Sequence, residues 1–235
     1  MDAQAKLDAI ARDSWYCKGA NEAMIHYSAK VFKRFLREGD ILELGPAEGV
    51  MTESLLPFAR TLTLVEGASH FCAHLREKYP QAEVINSLIE DVELSRTYDF
   101  IVLGHVLEHV EDPVFVLSRL RAFLRPGGRI LSAVPNARSL HRQAAVLMGL
   151  LEKESALNAT DIHHGHQRVY DPELFRQHFL QAGYTLDVFG GYWLKPVSNH
   201  QIETSWTSEM LEAFMALGER YPDIAGELYI VASLA

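Results

Sequence analysis

Across 235 residues, 48% are hydrophobic and 23% charged, with 22 Lys and Arg against 31 Asp and Glu for a formal charge of −9. That mix is ordinary for a globular chain and excludes disordered, collagen-like and coiled-coil architectures. The acidic balance disfavours electrostatic grip on a nucleic-acid backbone or an anionic membrane surface. Cys17 and Cys72, the two cysteines, form no C-x-x-C pair, so neither a disulfide scaffold nor a cysteine-rich zinc module is available.

The chain opens Met-Asp-Ala-Gln-Ala-Lys-Leu-Asp, without the basic and apolar regions of a secretory leader. Its longest near-continuous apolar run, 144–151, falls far short of the ~20 residues a spanning helix needs. A soluble, cytoplasmic protein is the expectation. Asn21 is positioned to cap a first helix carrying Met24, Tyr27, Val31 and Phe35 on its apolar face.

Strand and helix then alternate. Ile41-Leu42-Glu43-Leu44 is a short apolar run ended by Gly45, the pattern of a buried parallel strand. A helical segment follows through Met51, Leu55 and Phe58, then a β-rich run at Thr61 to Val65 and a helix with Phe71, Leu75 and Tyr79, stopped by Pro80. Ala82 to Ile85 and Phe100 to Leu103 are further strands. Pro113 opens a helix with Val116, Leu117, Leu120, Phe123 and Leu124 on one stripe, and Pro126-Gly127-Gly128 ends it before a fifth strand at Arg129 to Val134. Such alternation predicts a doubly wound parallel α/β sheet. Asp171-Pro172 reads as cap and first turn of one more helix, ending near Gly183. Tyr184 to Phe189 and Leu228 to Ala232 bring the sheet to seven strands, with the last expected antiparallel at the far edge.

All 235 residues read as one domain, with 1–38 as an N-terminal helical cap and 136–170 and 190–226 as insertions. Ligands of open α/β sheets sit at the carboxyl ends of the strands, so both insertions are expected to form a substrate lid there.

Glu43-Leu44-Gly45-Pro46-Ala47-Glu48-Gly49 is the most informative stretch. Small residues at 45, 47 and 49, directly after a strand and before a helix, let a ligand approach the backbone. A dinucleotide fingerprint would need glycine at 47 and 50, where Ala47 and Val50 stand. Glu66 ends the second strand and can accept both hydroxyls of a ribose, a demand common to several nucleoside cofactors.

The loop fits the E/D-x-G-x-G-x-G pattern of class I S-adenosylmethionine-dependent methyltransferases, with Ala47 in place of the middle glycine. Tyr98-Asp99-Phe100-Ile101-Val102 with Val106-Leu107-Glu108-His109-Val110-Glu111-Asp112-Pro113 resembles their "YD-x-I/V … LEHV-x-DP" segment. Leu124-Arg125-Pro126-Gly127-Gly128-Arg129 with Val134-Pro135-Asn136 is similar to "L-K/R-P-G-G … V-P-N". His166-x-Arg168-x-Tyr170 with Leu174 and Ala182-Gly183-Tyr184 resembles a stretch of a small-molecule branch. The resemblance covers residues 41–184 and implies a Rossmann-like, mostly parallel sheet with an antiparallel edge strand.

It also implies roles. Gly45, Ala47 and Gly49 would pass under the methionine and ribose of S-adenosylmethionine, Glu43 would reach the amino group through water, and Glu66 with Gly67 would hold the ribose. Where the family commonly has an acidic residue against the adenine, this chain has Leu88, followed by Ile89 and Glu90. Adenine would then lie between apolar faces with the Ile89 N–H as donor. Gly104 and His105 would line the methionine end, and Tyr16 and Tyr27 would close over the cofactor, though both also suit the core face of an amphipathic helix.

An O- or protonated N-acceptor must lose a proton, and the eleven histidines supply candidates. His105, at the end of strand four, is the first by position; its alternative is a satisfied polar side chain at the cleft edge. His109 reads as a packing and capping residue. Asp161-Ile162-His163-His164-Gly165-His166 admits three readings. It could bind a metal, although consecutive loop histidines do not easily converge on one ion. It could supply a substrate-facing base, with His163 or His166 favoured. Or it could pin the insertion through Arg168 and Tyr170. No metal site is expected. Tyr192 to Pro196 with Asn199, His200 and Gln201 has the composition of a substrate wall.

The expected activity is methyl transfer from S-adenosylmethionine, leaving S-adenosyl-L-homocysteine, to an O or N of a small molecule, with no nucleic-acid or membrane partner. An NAD-dependent oxidoreductase and a cofactor-binding protein without turnover are the alternatives. The Met148-Gly149-Leu150-Leu151 run reads equally as lid or as subunit contact, so a homodimer is among the assemblies the sequence allows.

Overall fold

The computed structural model describes residues 7, 8, 11 and 17–235; Tyr16 lies outside them. Its strands are β1 (Gly39–Leu44), β2 (Ala59–Glu66), β3 (Glu83–Asn86), β4 (Tyr98–Gly104), β5 (Leu124–Pro135), β6 (Tyr184–Tyr192) and β7 (Glu227–Leu234). They form one sheet in the order β3-β2-β1-β4-β5-β7-β6. The first five pair in parallel, and β7 runs antiparallel to both β5 and β6. Seven strands with an antiparallel member match the expectation, but β7 is not at the edge. It inserts between β5 and β6, where Leu228, Ile230, Val231 and Ala232 are wholly buried, a place that an all-apolar run fills better than an edge does.

Burial on both faces follows from the run of apolar residues in β1, whose six positions are all buried. Leu42 and Leu44 face one side with Ile101, Leu103 and Ile130. There they pack on Val116, Leu117 and Leu120 of α4 (Pro113–Leu120) and on Phe175 and Phe179 of α7 (Pro172–Gln181). Ile41 faces the other side with Leu64, Phe100 and Val102, packed under Met24, Val31 and Phe32 of α1 (Gly19–Phe32), Leu55 of α2 (Val50–Leu55) and Leu75 of α3 (Ser69–Lys78). Asp112 and Asp171 cap α4 and α7 by accepting from Phe115 N at 3.0 Å and Leu174 N at 2.8 Å, each followed by proline as the sequence predicts. Asn21 does not cap α1, which begins two residues earlier; it accepts from Asn199 Nδ2 at 2.9 Å and ties α1 to α8 (Asn199–Ser205).

At the amino end of the parallel strands, Asp40 and Asp99 are bound by the guanidinium groups of Arg60 and Arg125. The Arg60 hydrogen bond, with those from Arg125 and Thr61, holds Asp40 well below the usual carboxylate range. That end is closed by ion pairs, and the carboxyl end carries the cavity. The 136–170 stretch contributes α5 (Leu140–Leu147) and α6 (Ala159–His164), and 190–226 contributes α8 and α9 (Ser208–Gly218). Among the described residues no helix is long and apolar enough to cross a membrane.

Candidate active site

A cavity of about 1000 Å³ opens at the carboxyl ends of β1, β2 and β4. Its floor at one end is the loop after β1. Gly45, Ala47 and Gly49 all take left-handed backbone angles, with φ of 64°, 49° and 80°. Ala47 adopts this conformation at a steric cost glycine would not incur, and its N–H is held by Glu66 Oε2 at 3.1 Å. Tyr79 explains Gly49: its hydroxyl donates to Gly49 O at 2.7 Å, and a Cβ there would lie 2.6 Å from the tyrosine ring. A Cβ at Gly45 or Gly104 would come within 3.0 Å of Val106 Cγ2 or Met51 Cε. Glycine therefore keeps both backbones bare toward the cavity.

Glu66 also accepts from Ala68 N at 2.7 Å, and burial raises its pKa against these donors. Gly67 sits between Leu7 and Leu88. Leu7, Phe71, Leu88, Ile89 and Glu90 line this end, so an aromatic ring entering here meets mostly apolar surface.

Glu43 is buried beneath the loop and accepts from Thr52 Oγ1 at 2.7 Å. Burial, with Glu66 nearby, pushes its pKa up to about 8. A carboxyl raised on folding loses stability as pH climbs from its ordinary value, about 4.5, to about 8. Glu43→Gln should remove that slope, so the variant gains on the native chain as pH rises, by at most a few kcal/mol (order of magnitude) at pH 8. Urea melts at pH 5 and pH 8 check this; identical differences at both would show that Glu43 is ionised throughout.

The far end is polar. His105, with φ of 60°, follows Gly104 at the end of β4. Its Nδ1 is 3.5 Å from Glu108 Oε1 and 3.8 Å from Glu227 Oε2, and its Nε2 is 3.3 Å from the Tyr192 hydroxyl. Burial opposes protonation of His105, but the two carboxylates prevail and its pKa is raised. Glu227 reaches this point because β7 starts, rather than ends, at the cavity. Lys195, half-buried with its ammonium 4.5 Å from the Trp193 ring centre, has its pKa lowered by desolvation to about 8, with Glu227 opposing.

His166 enters from the segment after α6. Arg168 donates to the carbonyls of Leu107 (2.9 Å), Val110 and Glu111 (2.8 Å), and Gln167 N donates to Glu108 O at 2.7 Å. This pinning sets the His166 ring 4.7 Å from that of His109, edge to face. Arg142 of α5 binds Asp161 of α6 at 3.1 Å and the carbonyls of Glu154 and Ala156 between the two helices.

The cavity thus brings together Glu43, Gly45, Ala47, Glu66, Gly67, Leu88, Ile89, Gly104, His105 and His166. Gly49 supports the loop from behind. Besides Gly49, two of the described predicted residues do not line the cavity. Tyr27 is buried, turned toward Tyr192 at 5.6 Å, and donates to Glu219 Oε1 at 2.6 Å, a partner just past α9 and far along the chain. His163 does not line the cavity; its ring lies edge-on to His164 at 5.3 Å, because one turn of α6 cannot aim adjacent histidines the same way. Glu227 and the cavity-facing Glu108 were missed. Glu108 was visible inside the LEHV segment, whereas Glu227 had no local signal.

A family model described as a methyltransferase domain matches residues 16–187. The chain belongs to the class I S-adenosylmethionine-dependent methyltransferase family. Nodulation protein S of Sinorhizobium fredii strain NGR234 is 28% identical over 133 residues, 53% of this chain and 61% of that protein. The ubiquinone biosynthesis O-methyltransferase of Vibrio parahaemolyticus is 29% identical over 143 residues, 56% of this chain and 61% of that protein. The chain therefore spans about three fifths of the length of both relatives. The N-methyltransferase NodS from Bradyrhizobium japonicum WM9, solved with S-adenosyl-L-homocysteine, shares the fold with a TM-score of 0.63 at 14% identity, over 98% of each chain.

The cofactor of this family is S-adenosylmethionine, and the residues present fit it: bare backbone at 45 and 104, a buried carboxylate at the end of β2, and an apolar slot beyond Gly67. The nicotinamide alternative falls with the family assignment.

Proposed function

We propose that the chain transfers a methyl group from S-adenosylmethionine to an oxygen or nitrogen of a small molecule by in-line displacement. The observation that carries the reading is the continuity of one cavity, from the glycine loop and Glu66 at one end to His105 and the buried Glu108 and Glu227 at the other. When bound, S-adenosylmethionine supplies an electrophilic methyl whose bond to sulfur breaks as the bond to the acceptor forms.

The chain's part is positioning and proton handling. The bare backbone of the Gly45–Ala47 turn passes under the methionine and ribose, Glu66 takes the ribose hydroxyls, and Leu88 and Ile89 sandwich the adenine. His105 accepts the acceptor's proton, with Glu108 and Glu227 stabilising the resulting imidazolium. The 136–170 and 190–226 segments, which supply His141, Arg142, Trp193, Lys195 and Asn199 to the wall, act as the lid that excludes water. One relative's name specifies O-methylation and one solved neighbour's N-methylation, so both acceptors stand in the proposal.

Calorimetry with S-adenosylhomocysteine and NAD, followed by a labelled-methyl screen of small hydroxyl and amine compounds, tests this. Binding of the first ligand alone and label transfer to a member of the screen are expected. Cofactor binding with no transfer across a broad screen would favour a binding protein without turnover, and no nucleoside binding at saturation would end the reading.

A further inference from the structure

We propose that Glu108, His109 and His166 form a divalent metal site on the wall of the cavity. One ligand atom from each lies within 4.8 Å of the others. An ion at ~2.1 Å from oxygen and nitrogen holds tetrahedral ligands about 3.4 Å apart, so the three side chains draw together when it binds. Glu108 and His109 come from the turn after β4 and His166 from a segment some sixty residues later; the Arg168 and Gln167 bonds to that turn hold the two halves together.

Glu108 is the second, independent sign. It is 1% exposed, its Oε1 faces His105, and its Oε2 has no hydrogen-bond partner. A buried carboxylate oxygen without a donor is costly unless a cation answers it. Behind His166, Asp161 Oδ1 lies 3.4 Å from Nδ1, and the other oxygen of that carboxylate, Oδ2, is anchored by Arg142. A carboxylate at the back of an imidazole is the arrangement that orients a metal-ligating histidine. All three ligands line the cavity, so coordination positions stay open toward an incoming molecule.

Two imidazoles and one carboxylate favour a borderline transition ion such as Zn²⁺ over Mg²⁺ or Ca²⁺, which prefer all-oxygen sets. The open positions suit a hydroxyl of the acceptor, whose proton is lost more readily beside a divalent cation. This last point rests on the methyltransferase reading and narrows it to an oxygen acceptor.

The test is equilibrium binding of Zn²⁺ to the EDTA-stripped full chain by calorimetry, with Co²⁺ absorption as a second readout on the native chain. One equivalent is expected. His109→Ala and His166→Ala should each weaken binding more than about 100-fold, and His163→Ala, outside the cluster, should leave it within about threefold. Absence of a stoichiometric site in the native chain, binding retained in both ligand variants, or an equal loss in His163→Ala would overturn the site. The Co²⁺ spectrum keeps the question answerable if a variant fails to fold. S-adenosylhomocysteine binding to the stripped protein reports on the cofactor reading separately, so either can fail alone.

Discussion

Glu66→Ala should lower affinity for S-adenosylhomocysteine by about 10–150-fold, the loss of a charge-assisted hydrogen bond worth roughly 1.5–3 kcal/mol. Two effects combine. The carboxylate is the proposed acceptor for the ribose hydroxyls, and it already accepts from the amides of Ala47 and Ala68, which set the shape of the neighbouring loop. Ala47 sits at φ 49°, a conformation that persists only while its surroundings hold it. Removing the carboxylate frees that amide. Glu66→Gln should fall between native and alanine, since it keeps one acceptor oxygen but turns an NH₂ toward a backbone N–H. Calorimetric titration at constant salt measures all three proteins, and unchanged affinity in the alanine variant would remove Glu66 from the ribose role.

His105→Asn should cut kcat by about 10²–10⁴-fold, the usual contribution of a positioned general base, while S-adenosylhomocysteine affinity stays within about threefold. Asparagine is the informative replacement because it tolerates left-handed backbone, and His105 is held at φ 60° with its N–H on Ala133 O at 2.9 Å. An alanine variant would confuse backbone strain with lost chemistry. Methyl transfer to an acceptor from the screen, measured against cofactor affinity, separates the roles. Full turnover in His105→Asn would move proton acceptance elsewhere in the cavity, whose wall also carries His109, His141, His164, His166 and Lys195.

The legible parts of this molecule are those written into a few adjacent residues. The bend after β1 is readable because Gly45 and Gly49 meet backbone demands within five positions, and the caps at Asp112 and Asp171 because a cap is a contact over three residues. Tyr27 misled because its helical periodicity says that it is buried but not against what; its partner, Glu219, is 192 positions away. The histidine run at 161–166 stands out in the sequence by density, with His163 and His166 as its candidate bases. Chain geometry instead brings His166 from it beside Glu108 and His109, which follow the central strand β4. The rim position expected for β7 fails for a similar reason, since the apolar run Leu228 to Ala232 is equally at home one strand further in.

Reversal of β7 has a consequence for how this pocket tolerates change. Glu227 pairs with both Pro135 and Tyr192, and the residue before it is clamped, Gly226 N to Trp193 O at 2.6 Å and Asn136 N to Gly226 O at 2.9 Å. Neighbouring side chains on a strand point to opposite faces. Losing one residue from the connection ahead of β7 would therefore swing the acid off its histidine and present Leu228 in its stead, leaving a chain whose tertiary shape survives but whose proton-handling corner has turned to grease.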